Sequence, residues 1–408
     1  MERFASWRRS RRFIGAKRVL HIAKRCFIQN NIVSKESPMK KIGREVAFLA
    51  TGAQNPRNGE GSFLRLLDGR IMYAYTEYYG DSWEDHATAR ISAVFSPDEG
   101  ESWSQPSVLI EKDADTVNIM SVSLFRMKNG DVGCLYLRKF ASEGGILCVP
   151  YFTRSSDEGG TFGTPVRCIA RDGYFVVNND RLVRLKSGRL LFPTAYHGAD
   201  LDHLTPGEIY VCYSDDDGAS WNLSADAVRS PYEDNVRLQE PGLFALPDGR
   251  LWLYTRTAYG HQYQAFSTDD GLTFGRVTPA FRFSSPDAPM HVKTVGTLTL
   301  AIFNPIGYHP FEGKTELWGS PKRTPYVCAV SRDGGLSFVD GATTSANGGF
   351  QDFIASCYAF EDDTEESYCY PAIIEVEGGF LVAYYHSNGA DTCLNCNRIT
   401  KVLYREIN

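Results

Sequence analysis

One eight-residue motif occurs five times in this chain. It reads S-x-D-x-G-x-[ST]-[WF] and starts at Ser96, Ser155, Ser214, Ser267 and Ser331, at intervals of 59, 59, 53 and 64 residues. Recurrence at near-regular spacing marks one supersecondary unit repeated along the sequence. Each residue type in the motif suits a tight turn. The Asp carboxylate accepts backbone N–H bonds, the Ser hydroxyl adds a local bond, and the Gly takes a backbone conformation with positive φ. The closing Trp or Phe reads as a plug that anchors the turn in a core. These aspartates are therefore expected to be structural, not catalytic groups or calcium ligands.

A second pattern alternates with the first: an apolar run, a Gly-containing turn and another apolar run. It occurs at 63–75, 124–136, 182–194, 243–255, 292–304 and 373–385, as in FLRLLDGRIMYAY and LFALPDGRLWLYT. These are six predicted β-hairpins. Six hairpins with five marked turns after them describe six small antiparallel sheets of 50–60 residues each, which is the blade size of a propeller. Stacking blades around a channel buries both faces of every sheet and protects the edges. The expected fold is all-β, a six-bladed β-propeller over residues 42–408. Residues 42–49 supply the outer strand of the last blade and close the ring. A length of 408 residues would admit two or three domains, but closed all-β folds often exceed the usual domain size.

Charge is unevenly placed. Residues 1–41 hold 12 Lys/Arg and 2 Asp/Glu within a chain of net charge −6, so the remainder is strongly acidic. An acidic body argues against nucleic acid as a partner, while a few arginines still allow an acidic ligand. The segment 1–41 reads as a flexible basic extension, with Met39 as an alternative start. Its apolar stretches are too short for a secretory signal, and no run of 18 apolar residues predicts a transmembrane span. Ten scattered cysteines suit a reducing compartment, and a cytoplasmic location is expected. Cys393 and Cys396 form an isolated C-x-x-C without two further ligands nearby, so no metal is expected. The Gly-containing strings lie in hairpin turns and not between a strand and a helix, so no nucleotide cofactor is implied.

Strand direction sorts the polar residues. If the hairpin turns and the five marked turns lie at one end of the channel, residues about seven positions from a hairpin turn lie at the other. Glu240 and Arg256 flank the fourth hairpin in this way, and Tyr370 and His386 flank the sixth. Arg323 precedes the third strand of blade 5. Arg57 and Glu60 precede or begin the first hairpin, Asp85 and His86 lie in the next loop, and His197 ends the third hairpin. All are predicted to gather at one end of the channel.

On these motifs the chain resembles the sialidase superfamily, six-bladed propellers with Asp-box or BNR repeats. That resemblance implies a glycosidase using a Tyr/Glu pair, an Asp acid/base and an arginine triad for a substrate carboxylate. By position, Tyr370 looks like the nucleophile and Glu240 like its partner. Arg256 and Arg323 look like the second and third arginines, and Asp85 lies in the loop of the acid. The first arginine's place is taken by Glu60-Gly61-Ser62, with Arg57 three residues away as a substitute. A phenol is a poor nucleophile at neutral pH until a base takes its proton, and arginines beside it are expected to ease its ionisation. The expected activity is exo-cleavage of a terminal anionic sugar (sialic acid, another keto-acid sugar or a uronic acid) from a glycan. His86, His197 and His386 are further candidates for contact with that sugar. Two alternatives stay open: a non-catalytic carbohydrate-binding propeller, and a uronate polysaccharide lyase in which tyrosine and one of His86, His197 and His386 abstract and donate protons.

Overall fold

All six hairpins form, and each is extended to a sheet of at least four strands. The computed structural model describes residues 39–230, 237–305, 323–338, 350–363, 365–387 and 395–407. Blade 1 runs through Arg57–Arg65, Ile71–Tyr78, Ala89–Ser96 and Ser107–Ile110. Blade 2 uses Thr116–Arg126, Val132–Ser142, Gly145–Ser155 and Val166–Arg167. In blade 3 the first strand is split into Phe175–Val176 and Val183–Arg184, followed by Leu190–Gly198, Leu204–Ser214 and Asn222–Leu223. Blade 4 comprises Gln239–Ala245, Leu251–Arg256, His261–Ser267 and Thr278–Ser284. Blade 5 comprises His291–Val295, Leu298–Phe303, Tyr326–Ser331 and Tyr358–Glu361. Blade 6 begins with Tyr368–Val376, Gly379–His386 and Cys396–Leu403, and Arg44–Leu49 completes it, antiparallel to the third strand. The ring is thus closed by a strand from near the start of the chain, as expected. Lys40–Lys41 also belongs to it, pairing in parallel with Tyr358 and Ala359 of blade 5. The rest of the basic extension, Cys26 and Cys393 lie outside the described residues.

The core consists of six clusters, one between each pair of neighbouring blades. Five are plugged by the closing aromatics of the repeats: Trp103, Phe162, Trp221, Phe274 and Phe338. Blade 6 lacks a repeat, and the cluster between blades 5 and 6 instead takes Tyr404 and fully buried Ile407.

The repeat turns are built as their residue types dictate. In the first, Asp98 Oδ1 accepts from Ser102 N at 2.8 Å, Oδ2 accepts from Ser102 Oγ at 2.6 Å, and Ser96 Oγ accepts from Gly100 N at 2.8 Å. The pattern recurs around Asp157, Asp216, Asp269 and Asp333. The residue after the Asp does something the motif did not announce. Glu99, Glu158 and Asp217 sit at positive φ and reach across to the hairpin of the preceding blade. They accept from Glu377 N at 2.9 Å, Leu67 N at 2.7 Å and Lys128 N at 3.1 Å respectively. Each is a latch between adjacent blades. In the fifth repeat this position is Gly334, tucked under Pro247.

Candidate functional site at one end of the channel

The first strand of each blade lines the axis, and several are kinked near their starts. Register breaks fall between Asn58 and Gly61, Met120 and Ser123, Gln239 and Gly242, and Cys369 and Ala372. A bulge re-aims one side chain out of the strand's alternation. Ser121, Asp180, Glu240 and Tyr370 all carry positive φ here, at 59°, 54°, 43° and 57°. Such backbone costs a non-glycine residue about 1–2 kcal/mol and persists where the surroundings demand it. The demand is visible, because each of these side chains bonds to a residue of another blade.

Tyr370 of blade 6 donates its hydroxyl to Glu240 Oε1 of blade 4 at 2.7 Å. Arg256 Nη1 donates to Glu240 Oε2 at 2.6 Å and lies 3.4 Å from the Tyr370 oxygen. Arg256 Nε donates to Asp287 Oδ1 at 2.5 Å. Arg323 Nη2 donates to the Asp287 carbonyl at 2.8 Å, and its guanidinium lies 5.7 Å from the Tyr370 ring centre. The Arg323 carbonyl is fixed by Asn304 Nδ2 at 2.8 Å and Tyr368 N at 3.0 Å. Four predicted residues therefore meet in one cluster: Glu240, Arg256, Arg323 and Tyr370. Asp287 was not foreseen, since it lies in a connection between blades that carries no pattern.

The electrostatics correct one expectation. Burial pulls the Arg256 pKa down, but Glu240 and Asp287 hold it well above its ordinary value. Asp287 is drawn below the usual carboxylate range, because Arg256 outweighs its burial. The Tyr370 phenol is pushed well above 10, chiefly by burial and then by Glu240. Arg256 and Arg323 act in the opposite direction and lose. The arginines thus do not ionise the phenol, which stays protonated and donates its hydrogen bond to Glu240.

A second group adjoins the first through Tyr385, whose ring packs edge-on against Tyr370 at 5.4 Å. Its hydroxyl donates to Glu60 Oε2 at 2.9 Å and accepts from Arg57 Nε at 3.0 Å. Glu60 is buried and also accepts from Ser121 Oγ at 2.5 Å. Its charge is engaged by two hydroxyls. Arg57 lies over the rings of Tyr78 and Tyr385 at 4.6 and 5.5 Å, and its Nη1 donates to Asp85 Oδ1 at 2.6 Å. Arg57, with Lys139 behind it, holds the exposed Asp85 carboxyl down to about 2. Its backbone carbonyl accepts from buried Lys139 Nζ at 2.7 Å and from Asn118 Nδ2 at 2.9 Å.

The three histidines separate. His197 stands close enough to Glu240 and Arg256 to feel both charges, and burial lowers its pKa to about 4. His86, beside Asp85, is lowered to about 4 by burial and by Lys139. His386 does not join the cluster. It stacks on Tyr368 at 5.2 Å, lies 3.7 Å from Glu366, and feels Arg398 and Glu366. The bulge after Cys369 is the cause. Tyr368 pairs with His386 and Cys369 with Tyr385, so the re-aimed Tyr370 meets Tyr385 instead.

Below the site the channel is filled. Asp180 of blade 3 accepts from Ser62 of blade 1, from Lys293 of blade 5 and from the Ile373 N–H of blade 6. A cavity of about 220 Å³ lined by Asp180, Lys293, Val183 and Ala245 lies beyond this plug, at the hairpin-turn end and away from Tyr370. Among the described residues no cluster of His, Cys, Asp and Glu is arranged to hold a metal, and no helix is long and apolar enough to cross a membrane.

Residues 75–383 match the family described as BNR repeat-like domain. The chain belongs to that BNR repeat-like family. Its six-bladed fold is shared with sialidases and sialidase-like proteins of known structure. A protein from Dyadobacter fermentans described as of unknown function superposes with a TM-score of 0.62 at 18% identity, covering 88% of this chain and 99% of that one. The intramolecular trans-sialidase from Ruminococcus gnavus, in complex with oseltamivir carboxylate, gives 0.64 at 13% identity, covering 91% and 99%. At such identities the likeness is one of fold. Mouse Sialidase-4 is 27% identical over 161 residues, 37% of this BNR repeat-like chain and 30% of the mouse protein's length.

Proposed function

We propose that this BNR repeat-like protein is an exo-glycosidase that removes a terminal carboxylate-bearing sugar from a glycan. The observation that carries the reading is the Tyr370–Glu240 pair at 2.7 Å, with Arg256 touching both residues. A neutral phenol approaches an anionic sugar without like-charge repulsion, and Glu240 is placed to take its proton as attack develops. Arg323 and Arg256 both lie against Tyr370, and two guanidinium groups there suit a carboxylate. Tyr370 Oη attacks the anomeric carbon as its proton passes to Glu240. The glycosidic C–O bond breaks, and the leaving oxygen takes a proton from the carboxylic acid form of Asp85, so this step is favoured at low pH. Water, deprotonated by Asp85, then displaces Tyr370, and Glu240 returns the proton to the phenol. Arg57, with Tyr385, stands on the side where the resemblance places the first arginine.

A panel of aryl sialosides, other keto-acid glycosides and uronides tests the proposal. Turnover of at least one, lost in Tyr370→Phe with the fold intact, is expected. Glycan affinity with no product from any of them supports the second reading, a carbohydrate-binding propeller. That reading draws on Glu60 at the first arginine's place and on the two carboxylates already bound to Arg256.

A further inference from the structure

In blades 2, 4 and 6 two residues face one in the first-strand ladder: Ser121-Val122, Glu240-Pro241 and Tyr370-Pro371. The first of each pair carries the re-aimed side chain. The second is left without a register partner, and its carbonyl needs a donor from elsewhere. Blade 3 supplies all three donors. Asp180 N donates to Val122 O, Arg181 Nε to Pro241 O and Asn179 Nδ2 to Pro371 O, each at 3.2 Å. Asn179 Nδ2 also donates at 2.7 Å to Gly61 O of blade 1, the carbonyl that follows Glu60. At the start of blade 5, Arg181 Nη2 donates to Met290 O at 2.8 Å and Nη1 meets His291 Nδ1. Three consecutive residues thus reach all five other blades. They lie where the first strand of blade 3 is interrupted, between Val176 and Val183, and Asn179 and Arg181 are buried.

We propose that Asn179 and Arg181 are positioning residues for the Tyr370–Glu240 pair, setting its separation by holding the carbonyls of Pro371 and Pro241. The inference rests on the glycosidase reading for what the pair does, while the geometry stands without it. Tyr370 and Glu240 come from blades 6 and 4, which share no sheet. One tripeptide grips the carbonyl that follows each of them, so the distance between the two kinks is set by a single short piece of backbone. The proline in each second place has no N–H to tie the strand back to its own sheet, which leaves the carbonyl as the handle. The bonds of Asn179 and Arg181 end on backbone carbonyls and on His291, not on the phenol or the Glu240 carboxylate, so both residues act through the backbone. Arg256 and Arg323 are held separately, by Asp287 and Asn304. Loss of Asn179 or Arg181 therefore disturbs the transfer of the phenolic proton and spares the grip on a substrate carboxylate.

The full chain labelled with [13Cζ]tyrosine reports on the pair by NMR without any substrate. The Tyr370 resonance is assigned by its loss in Tyr370→Phe, and Glu240→Gln gives its position once the carboxylate is gone. In Asn179→Ala the resonance is expected to move toward the Glu240→Gln position. Arg181→Lys keeps a buried cation but replaces the fork with a point charge, and it should move the resonance the same way; this variant decides the matter should Asn179→Ala not fold. Lys293→Met is the control, because it strips one partner from Asp180 in the same plug and touches neither proline carbonyl. It should lower the urea midpoint and leave Tyr370 unmoved. With a glycoside that the wild type cleaves, Asn179→Ala should lower kcat about tenfold to a hundredfold, as a displacement of about 1 Å does, with KM held within about twofold. A Tyr370 resonance at its wild-type position in both Asn179→Ala and Arg181→Lys, or one moved as far in Lys293→Met, overturns the proposal. A resonance that moves as expected in a protein that cleaves no glycoside sinks the hydrolase reading alone. Cleavage with kcat unchanged in folded Asn179→Ala sinks only this inference.

Discussion

Replacing Glu240 with glutamine tests the chemistry most directly, because the structure dictates how the amide must sit. Glu240 accepts from Tyr370 through one oxygen and from Arg256 through the other. A glutamine cannot face its NH2 toward the guanidinium, donor against donor. Its oxygen stays on Arg256, and its NH2 turns to the Tyr370 oxygen. Arg256 keeps Asp287, so no charge is orphaned. The stability cost should be about 1 kcal/mol, that of one altered hydrogen bond. The phenolic proton, however, loses its acceptor. Removing a general base slows such reactions about a hundred- to ten-thousandfold, which is about 2.7–5.4 kcal/mol in the barrier. The phenol should also ionise more readily, since the Glu240 charge that raised it is gone while Arg256 and Arg323 remain. With an aryl glycoside that the wild type cleaves, the variant's residual rate should climb with pH, as hydroxide takes over the base's part. A variant within tenfold of wild type, or one whose pH profile is unchanged, would refute the assignment of Glu240 as the proton acceptor.

Three further outcomes follow from the fold. Glu158 binds Arg126 with both oxygens and Leu67 N from positive φ. Glu158→Ala should cost about 1–2 kcal/mol in urea unfolding, while Glu158→Gly recovers about 1 kcal/mol by relieving the backbone; equal losses would show that the φ is unstrained. Ile407→Ala, in the cluster that lacks a repeat aromatic, should cost about 2–5 kcal/mol, and a loss below about 1 kcal/mol would mean that Ile407 is not the plug. His86, His197 and His291 are each lowered by burial to about 4. A base lowered in the folded state contributes stability that is complete above its unfolded value of about 6.5 and is lost as pH falls toward about 4. Stability should therefore begin to fall below about pH 6.5, before carboxylates titrate, and His197→Gln should flatten that slope. A flat curve from pH 7 to 4.5 would contradict the burial of these rings.

The fold was legible because its signals are local. Ser155, Asp157 and Gly159 make their turn with one another, and the alternation in FLRLLDGRIMYAY needs no distant partner to read as a hairpin. Glu240, Arg256, Arg323 and Tyr370 could be placed at one end by counting residues from the hairpin turns. Counting failed where the strand is irregular. It put His386 opposite Tyr370, but the bulge after Cys369 gives that place to Tyr385. It also missed Asp287, whose position depends on how the connection between blades 4 and 5 lies across Arg256. The latches of Glu99, Glu158 and Asp217 were hidden for a related reason. Their partners are backbone amides of another blade, which leave no trace in composition.

Closure of the ring by residues 44–49 has a consequence for how the protein is made. Arg44 pairs with Lys401, so a strand that leaves the ribosome early waits for a partner translated near the far end. During that wait Arg44–Leu49 offers an unsatisfied edge to any neighbouring nascent chain. Its Arg44 and Glu45 charges give that edge some defence against stray pairing.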